Sequence, residues 1–178
     1  MKFRIQRCTK DDVKAYAEHA SYHLTERGIN DVLVHPFPAD HRRDIPEFIN
    51  LLLSRWNKEP MSPEYETAWV AIVDGKFVGH LNLRCGGITA TAHRMRLGMG
   101  IEAPYRSKGI GSGLLTAALN WAREQDSISW IDLGVFAKNH AARGLYKKHG
   151  FTETVTVIDA LRVDDEIIDD VQMVLKLK

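Results

Sequence analysis

The run Arg106-Ser107-Lys108-Gly109-Ile110-Gly111-Ser112-Gly113 constrains this chain more than any other, because it opens a helix with bare main-chain donors. From Ile110 the apolar residues Leu114, Ala117, Ala118 and Trp121 recur at helical spacing, which predicts an amphipathic helix from about Gly109 to Gln125. The first-turn N–H groups of a helix have no intrahelical partner, and the helix dipole adds partial positive charge there. Glycines let a ligand approach the backbone closely, and Arg106 and Lys108 add full charges nearby. Such an end suits a phosphate or pyrophosphate. The same residues also suit a basic turn before an ordinary helix.

The rest of the composition narrows the class. The 178 residues carry a formal charge of +1 and 44% hydrophobic residues, the profile of one globular domain spanning 1–178. That balance gives no electrostatic reason to expect nucleic acid or a membrane as partner. Cys8 and Cys85 lie far apart and form no C-x-x-C unit, and a reduced, cytoplasmic setting is expected. No apolar run is long enough to span a bilayer, and Met1-Lys2-Phe3-Arg4 lacks a signal-peptide core.

Phe3 to Cys8 reads as a first strand. Thr9 or Asp11 then caps a helix running through Ala15 and Ala20 toward Arg27, with Gly28 and Asn30 ending it. Residues 29–64 are punctuated by Pro36, Pro38, Pro46, Pro60 and Pro63 around one helix, Ile45 to Trp56. Ala68–Val73 and Phe77–Leu83 flank Asp74-Gly75, a two-residue hairpin turn in which both positions need positive φ. His93 to Glu102 is a further strand, with Met95, Leu97, Met99 and Ile101 on one side. Its other side, Arg96, Gly98, Gly100 and Glu102, is nearly bare, which fits either close packing or a bound ligand. A strand at Ser129–Phe136, a helix from Asn139, and strands at Thr152–Ile158 and Val171–Leu177 complete the order β-α-α-β-β-β-α-β-α-β-β. The segment Asp159–Asp170 between the last two strands reads as turn-rich.

A second constellation lies at Asn139-His140-Ala141-Ala142-Arg143-Gly144-Leu145-Tyr146-Lys147-Lys148-His149-Gly150-Phe151. Asn139 caps the helix, its basic end suits the negative pole, and Gly150 suits a left-handed close. Tyr146 on this evidence alone is a half-buried aromatic.

Together the two stretches resemble the GNAT N-acetyltransferase superfamily. Its pyrophosphate-loop pattern, Arg/Gln-x-x-Gly-x-Gly/Ala, matches Arg106 to Gly111, and its Asn-x-x-Ala-x-x-Leu-Tyr-x-x-x-Gly-Phe pattern matches Asn139 to Phe151 in register. The likeness is specific over about 93–151 and topological elsewhere. It implies an α/β (α+β) fold: a mixed, mostly antiparallel sheet of about seven strands, with helices on both faces. A splayed parallel pair, 93–102 and 129–136, is expected to form the cofactor cleft. The cofactor implied is acetyl-CoA as co-substrate, with no metal.

The resemblance also assigns residues. Met99, Gly100 and Ile101 are expected along the pantetheine, and Arg106, Ser107, Lys108, Gly109, Ile110, Gly111 and Ser112 around the pyrophosphate. Asn139, Ala142 and Tyr146 are expected beside the pantetheine and thioester. Tyr146 takes the acid role toward the departing thiolate, and a backbone N–H near Met99 or Gly100 the oxyanion role. Many members carry a glutamate in a Leu-Glu-Val strand where this chain has Leu133-Gly134-Val135, so that base is missing. Glu102 is the first substitute, with Asp132 and His93 behind it.

Specificity is expected from residues 29–64 and 159–170. Their acids (Asp31, Asp40, Asp44, Glu47, Asp164, Asp165, Glu166, Asp169) either attract a cationic amine or are simply solvated. The acceptor class is a primary amine of a small molecule or peptide, and homodimers are frequent among similar proteins. A dinucleotide-dependent oxidoreductase is disfavoured because Leu114 stands where Gly-x-Gly-x-x-Gly needs its last glycine. A nucleoside triphosphatase is disfavoured by the absence of Gly-Lys-Ser/Thr. A non-catalytic CoA-binding module on the same fold is the alternative.

Overall fold

The computed structural model describes residues 1–26, 35–38 and 40–178. The strands are β1 Arg4–Arg7, β2 Glu66–Val73, β3 Lys76–Cys85, β4 Arg94–Ile101, β5 Trp130–Phe136, β6 Thr152–Val163 and β7 Glu166–Lys176. The α-helices among these residues are α1 Val13–His23, α2 Ile45–Trp56, α3 Ile110–Arg123 and α4 His140–Lys148. The element order matches the one read from sequence. The seven strands form one sheet in the order β1-β2-β3-β4-β5-β7-β6. Every neighbouring pair is antiparallel except β4 and β5.

β2 is buried almost throughout, which explains why Ala68–Val73 is a continuous apolar run rather than an alternating one. Asp74 and Gly75 adopt φ of 48° and 79°, the left-handed geometry that a tight hairpin requires. On one face of the sheet Ile110, Leu114, Leu115, Ala118 and Leu119 of α3 are buried with Met95, Leu97, Ile131, Leu133 and Met173. Tyr146 of α4 and Phe151 close the same cluster. On the other face Val13, Tyr16, Ala17 and Ala20 of α1 and Leu52 of α2 pack on Ala68 and Val70. Fully burying each large aliphatic side chain contributes about 1.5–3 kcal/mol, so both helix pairs are held by the alternation of the strands beneath them.

Two sequence expectations are corrected at the edges. The first helix begins with a 3-10 turn, Lys10–Asp12, and another follows α1 over Leu24–Glu26. Its expected close at Gly28 and Asn30 lies outside the described residues, as does Asp31. Of the two caps read from sequence Thr9 is the one found, and Asp12, not Asp11, completes a capping box with it, its carboxylate accepting from the Thr9 N–H at 2.8 Å. Residues 159–170 are not a loop: they form the far half of the β6–β7 hairpin, turning at Asp164 (φ 52°). Their acids suggest turns because β6 is exposed along most of its length, and Asp159 (φ 51°) sits in an irregular stretch of the ladder.

Candidate active site

β4 and β5 pair over Arg94–Arg96 with Trp130–Asp132 and then separate. β4 stays bonded to β3 as far as Ile101 opposite Gly79, and β5 to β7 as far as Phe136 opposite Asp170. A wedge therefore opens between two strands of one sheet, as expected from sequence. The Glu102 N–H donates to the Val78 carbonyl at 3.0 Å, while the His93 carbonyl accepts from Ser129 and Trp130 of the β5 side. Even-numbered residues of β4 thus turn their main chain toward β3, and odd-numbered ones toward β5. Leu97, Met99 and Ile101 face the wedge, and the Ile101 carbonyl already accepts Arg106 Nε at 2.9 Å. Gly100 is corrected on this point: its N–H and C=O face β3, so of the two residues offered for an oxyanion donor only Met99 has the right orientation.

The mouth of α3 lies at the same end. Gly109 caps the helix with φ 84°, and a side chain there would meet nothing within 4 Å. The main-chain N–H groups of Ser107, Lys108, Gly109, Ile110, Gly111 and Ser112 donate to no acceptor among the described residues. Gly111 has a different role from Gly109. A Cβ on Gly111 would stand 2.7 Å from Leu145 Cδ2, so its smallness seats α4 against α3 rather than admitting a ligand. Arg106 is also turned inward. Its N–H donates to Ala103 and its guanidinium to Ile101 through Nε and to the buried Glu26 through Nη2. Lys108 Nζ donates to the Pro104 carbonyl at 2.7 Å. The bare amides, rather than the two flanking cations, define this end.

Across the wedge, Asn139 Oδ1 caps α4 by accepting the Ala142 N–H at 3.1 Å, and Ala142 packs against the core. Tyr146 is 6% exposed, beside Phe151 at a ring separation of 5.7 Å. Its hydroxyl bonds to nothing among the described residues, and burial pushes the phenol above its ordinary value. It therefore stays protonated, a donor in waiting.

The bare side of β4 turns out to be filled by side chains. A Cβ on Gly98 would meet Asn82 Oδ1 at 2.6 Å, and one on Gly100 would meet His23 Nε2 at 2.6 Å and His80 Cε1 at 2.7 Å. Close packing is thus the outcome there, and it makes room for a histidine cluster that sequence reading missed. Glu102 is not a solvated strand-end carboxylate: its Oε1 lies 2.9 Å from His19 Nδ1, and His19 Nε2 lies 3.1 Å from His80 Nδ1. An ionised carboxylate only accepts, so with Glu102 as partner His19 carries its proton on Nδ1, and where His19 Nε2 accepts, His80 donates from its own Nδ1; the Phe77 carbonyl is a further partner of His19. The chain of partners leaves His80 Nε2 as a lone pair. Alongside, His23 Nδ1 lies 3.1 Å from Glu26 Oε2, which also takes Arg106. Burial lowers all three histidines, His23 to about 4 and His80 well below its ordinary value. They are neutral at pH 7. Among the described residues no group of three or more His, Cys, Asp or Glu is arranged to hold a metal ion.

The remaining base candidates separate cleanly. Both Asp132 oxygens are taken by Arg94, at 2.7 and 2.5 Å, and His93 is exposed outside the wedge. The space that a Gly134 side chain would fill is occupied from the next strand, with Asp170 Oδ2 2.7 Å and Arg96 Nη2 3.1 Å from the Cβ position. Burial raises the Asp170 carboxyl. The signal for the cluster was present: His19 and His23 are four apart on α1, and His80 stands opposite Gly100 in register. It was unreadable without knowing that α1 crosses β3 and β4.

The cavity beside this cluster has a volume of about 320 Å³ and is lined by His23, His80, Gly98 and Met99 among others. It therefore reaches the same stretch of β4 whose main chain faces the wedge.

A family model described as the acetyltransferase (GNAT) family matches residues 19–151, and the chain belongs to that family. The L-amino acid N-acetyltransferase AaaT of Escherichia coli (strain K12) is 31% identical over 86 residues, 46% of this chain and 51% of that protein. The chain thus spans about half the length of that curated relative. An N-acetyltransferase from Staphylococcus aureus Mu50 superposes with a TM-score of 0.82 at 20% identity, covering 100% of both chains. A GNAT superfamily phosphinothricin acetyltransferase (Pat) from Sinorhizobium meliloti, in complex with AcCoA, gives 0.80 at 13% identity, covering 99% of this chain and 89% of that one. At such identities the likeness is one of fold. No helix among the described residues is long and apolar enough to cross a membrane.

Proposed function

We propose that the chain, acting as one domain over residues 1–178, moves an acetyl group from acetyl-CoA to a primary amine of a small molecule or peptide by direct attack. The observation that carries this reading is the coincidence of the β4–β5 wedge with the bare amides of Ser107–Ser112 at one end of the sheet. The fit is chemical. A diphosphate needs several N–H donors and open space, which the helix mouth and the Gly109 position supply. An amide-bearing arm needs an unpaired strand edge, which Leu97 and Met99 supply. The names of the relatives, an L-amino acid and a phosphinothricin acetyltransferase, support a small-molecule acceptor.

When bound, acetyl-CoA supplies a thioester carbonyl that a neutral amine can attack. The Met99 N–H is placed to donate toward charge developing on that oxygen, a contribution of about 10²–10³ in rate. Tyr146 holds a proton on its hydroxyl for the departing sulfur, a role worth roughly 10²–10⁴. The base role first given to Glu102 passes to His80 Nε2, with Glu102 acting through His19. A proton accepted at His80 Nε2 shifts the Nδ1 proton to His19, whose own Nδ1 proton is held by Glu102. The same reading puts the enzyme in the cytoplasm, where Cys8 and Cys85 remain the free thiols seen here. The experiment is calorimetric titration with acetyl-CoA followed by CoA release against an amine panel. Saturable binding with amine-dependent release supports the proposal, and saturable binding without release for any amine leaves only a CoA-binding module.

A further inference from the structure

Arg84 of β3 and Arg96 of β4 stand directly opposite each other in register, and both line the cavity beside the histidine cluster. Like charges directly across an antiparallel pair destabilise the sheet, and the negative charge nearest Arg84, Glu66 opposite it on β2, is shared with Arg55. Neither guanidinium has an ion pair or hydrogen bond among the described residues. Arg43 adds a third charge from the stretch before α2. It lies over the Phe48 ring at 4.0 Å, with no acceptor among the described residues, and burial lowers its pKa. Arg55, the fourth arginine of the lining, is bound to Glu64 and Glu66 at 3.5 and 3.3 Å.

The described lining thus holds four arginines (Arg43, Arg55, Arg84, Arg96) against one carboxylate, Glu66, while burial keeps its His23 and His80 neutral. Asp170 approaches Arg96 across Gly134 but is not part of the lining. Of the acids read as either attracting a cationic amine or simply solvated, none of the described ones lines this cavity. Asp44 caps α2 through the Glu47 N–H at 2.8 Å, and Asp159 and Asp169 tie the β6–β7 hairpin together. A polyamine or aminoglycoside entering this cavity would meet an excess of positive charge.

We infer that the acceptor is a small amine that also carries an oxyanion, a carboxylate in the first instance, held by Arg84, Arg96 and Arg43 with its amine toward His80 and Met99. Arginine is suited to this because its planar fork matches a carboxylate with two parallel hydrogen bonds. A cavity of about 320 Å³ fits an amino acid rather than a folded peptide end. The inference rests on the acetyltransferase reading for the amine's fate, but not for the anion's binding.

The test uses the full chain with L-amino acids, their α-amides and spermidine. Binding is measured by calorimetry in the presence of CoA, and turnover by CoA release. The free acids should bind and react at least about tenfold better than their amides, with spermidine last. Arg84→Gln and Arg96→Gln should raise KM for the acid about tenfold or more while changing kcat much less, and Arg84→Lys should recover part of the loss. Amides or spermidine used as well as the acids would overturn the inference. So would Gln variants with unchanged KM. Acids that bind in an arginine-dependent way but are never acetylated would sustain the inference and sink the acetyltransferase reading instead.

Discussion

Glu102 Oε1 and His19 Nδ1 lie 2.9 Å apart, and that contact sets the tautomer of His19 and, through it, of His80. If His80 Nε2 takes the proton from the amine, His80→Ala lowers kcat by about tenfold or more with acetyl-CoA affinity unchanged. Glu102→Gln removes the negative charge that holds the His19 proton and lowers kcat without moving the KM for acetyl-CoA. Steady-state kinetics on both variants check this. Full activity in His80→Ala returns the base role to water or to Asp170.

The pH profile follows from the same cluster. Burial lowers His80 well below 6.5, so the base is free throughout the neutral range. The acid limb of kcat should therefore have its midpoint clearly below 6.5. A midpoint at or above that value means that another group controls the rate.

Stability carries the matching signature. His23 is lowered from 6.5 to about 4, so between those values the unfolded chain binds a proton that the folded chain does not. Stability then falls as pH drops through that window, and His19 and His80 act in the same direction. The melting temperature should drop steeply from pH 7 toward pH 4.5, and His23→Gln should flatten the slope. An identical slope in the variant would show that other groups cause the acid loss.

Tyr146 gives a separate test. Its phenol is held protonated by burial, so Tyr146→Phe removes a proton donor without removing the ring that packs on Phe151. Turnover should fall at least about tenfold with little change in acetyl-CoA affinity. Unchanged turnover would take the acid role away from Tyr146.

Much of the fold was legible because local chemistry decided it. Asp74-Gly75 can make one kind of turn, and the period of Leu114, Ala118 and Trp121 suits only a helix. The wedge was legible only through the family's patterns around Arg106 and Asn139. The histidine cluster was not, since it joins α1 to β3 and β4 across more than fifty intervening residues. Glycine was the weakest guide. Gly109 leaves open space, Gly111 seats Leu145, and Gly100 admits His23, and one letter does not distinguish these uses.

Main-chain amides at the start of α3 gripping the diphosphate of coenzyme A are the central claim. The most direct measurement is calorimetric titration of the intact protein with acetyl-CoA, repeated on Gly109→Asp and Gly109→Asn. Both side chains tolerate the left-handed backbone of Gly109, but only aspartate adds negative charge. The native chain should bind saturably, with a modest loss for asparagine and a much larger loss for aspartate. No binding at millimolar acetyl-CoA, or equal binding by the native chain and a folded aspartate variant, would contradict it.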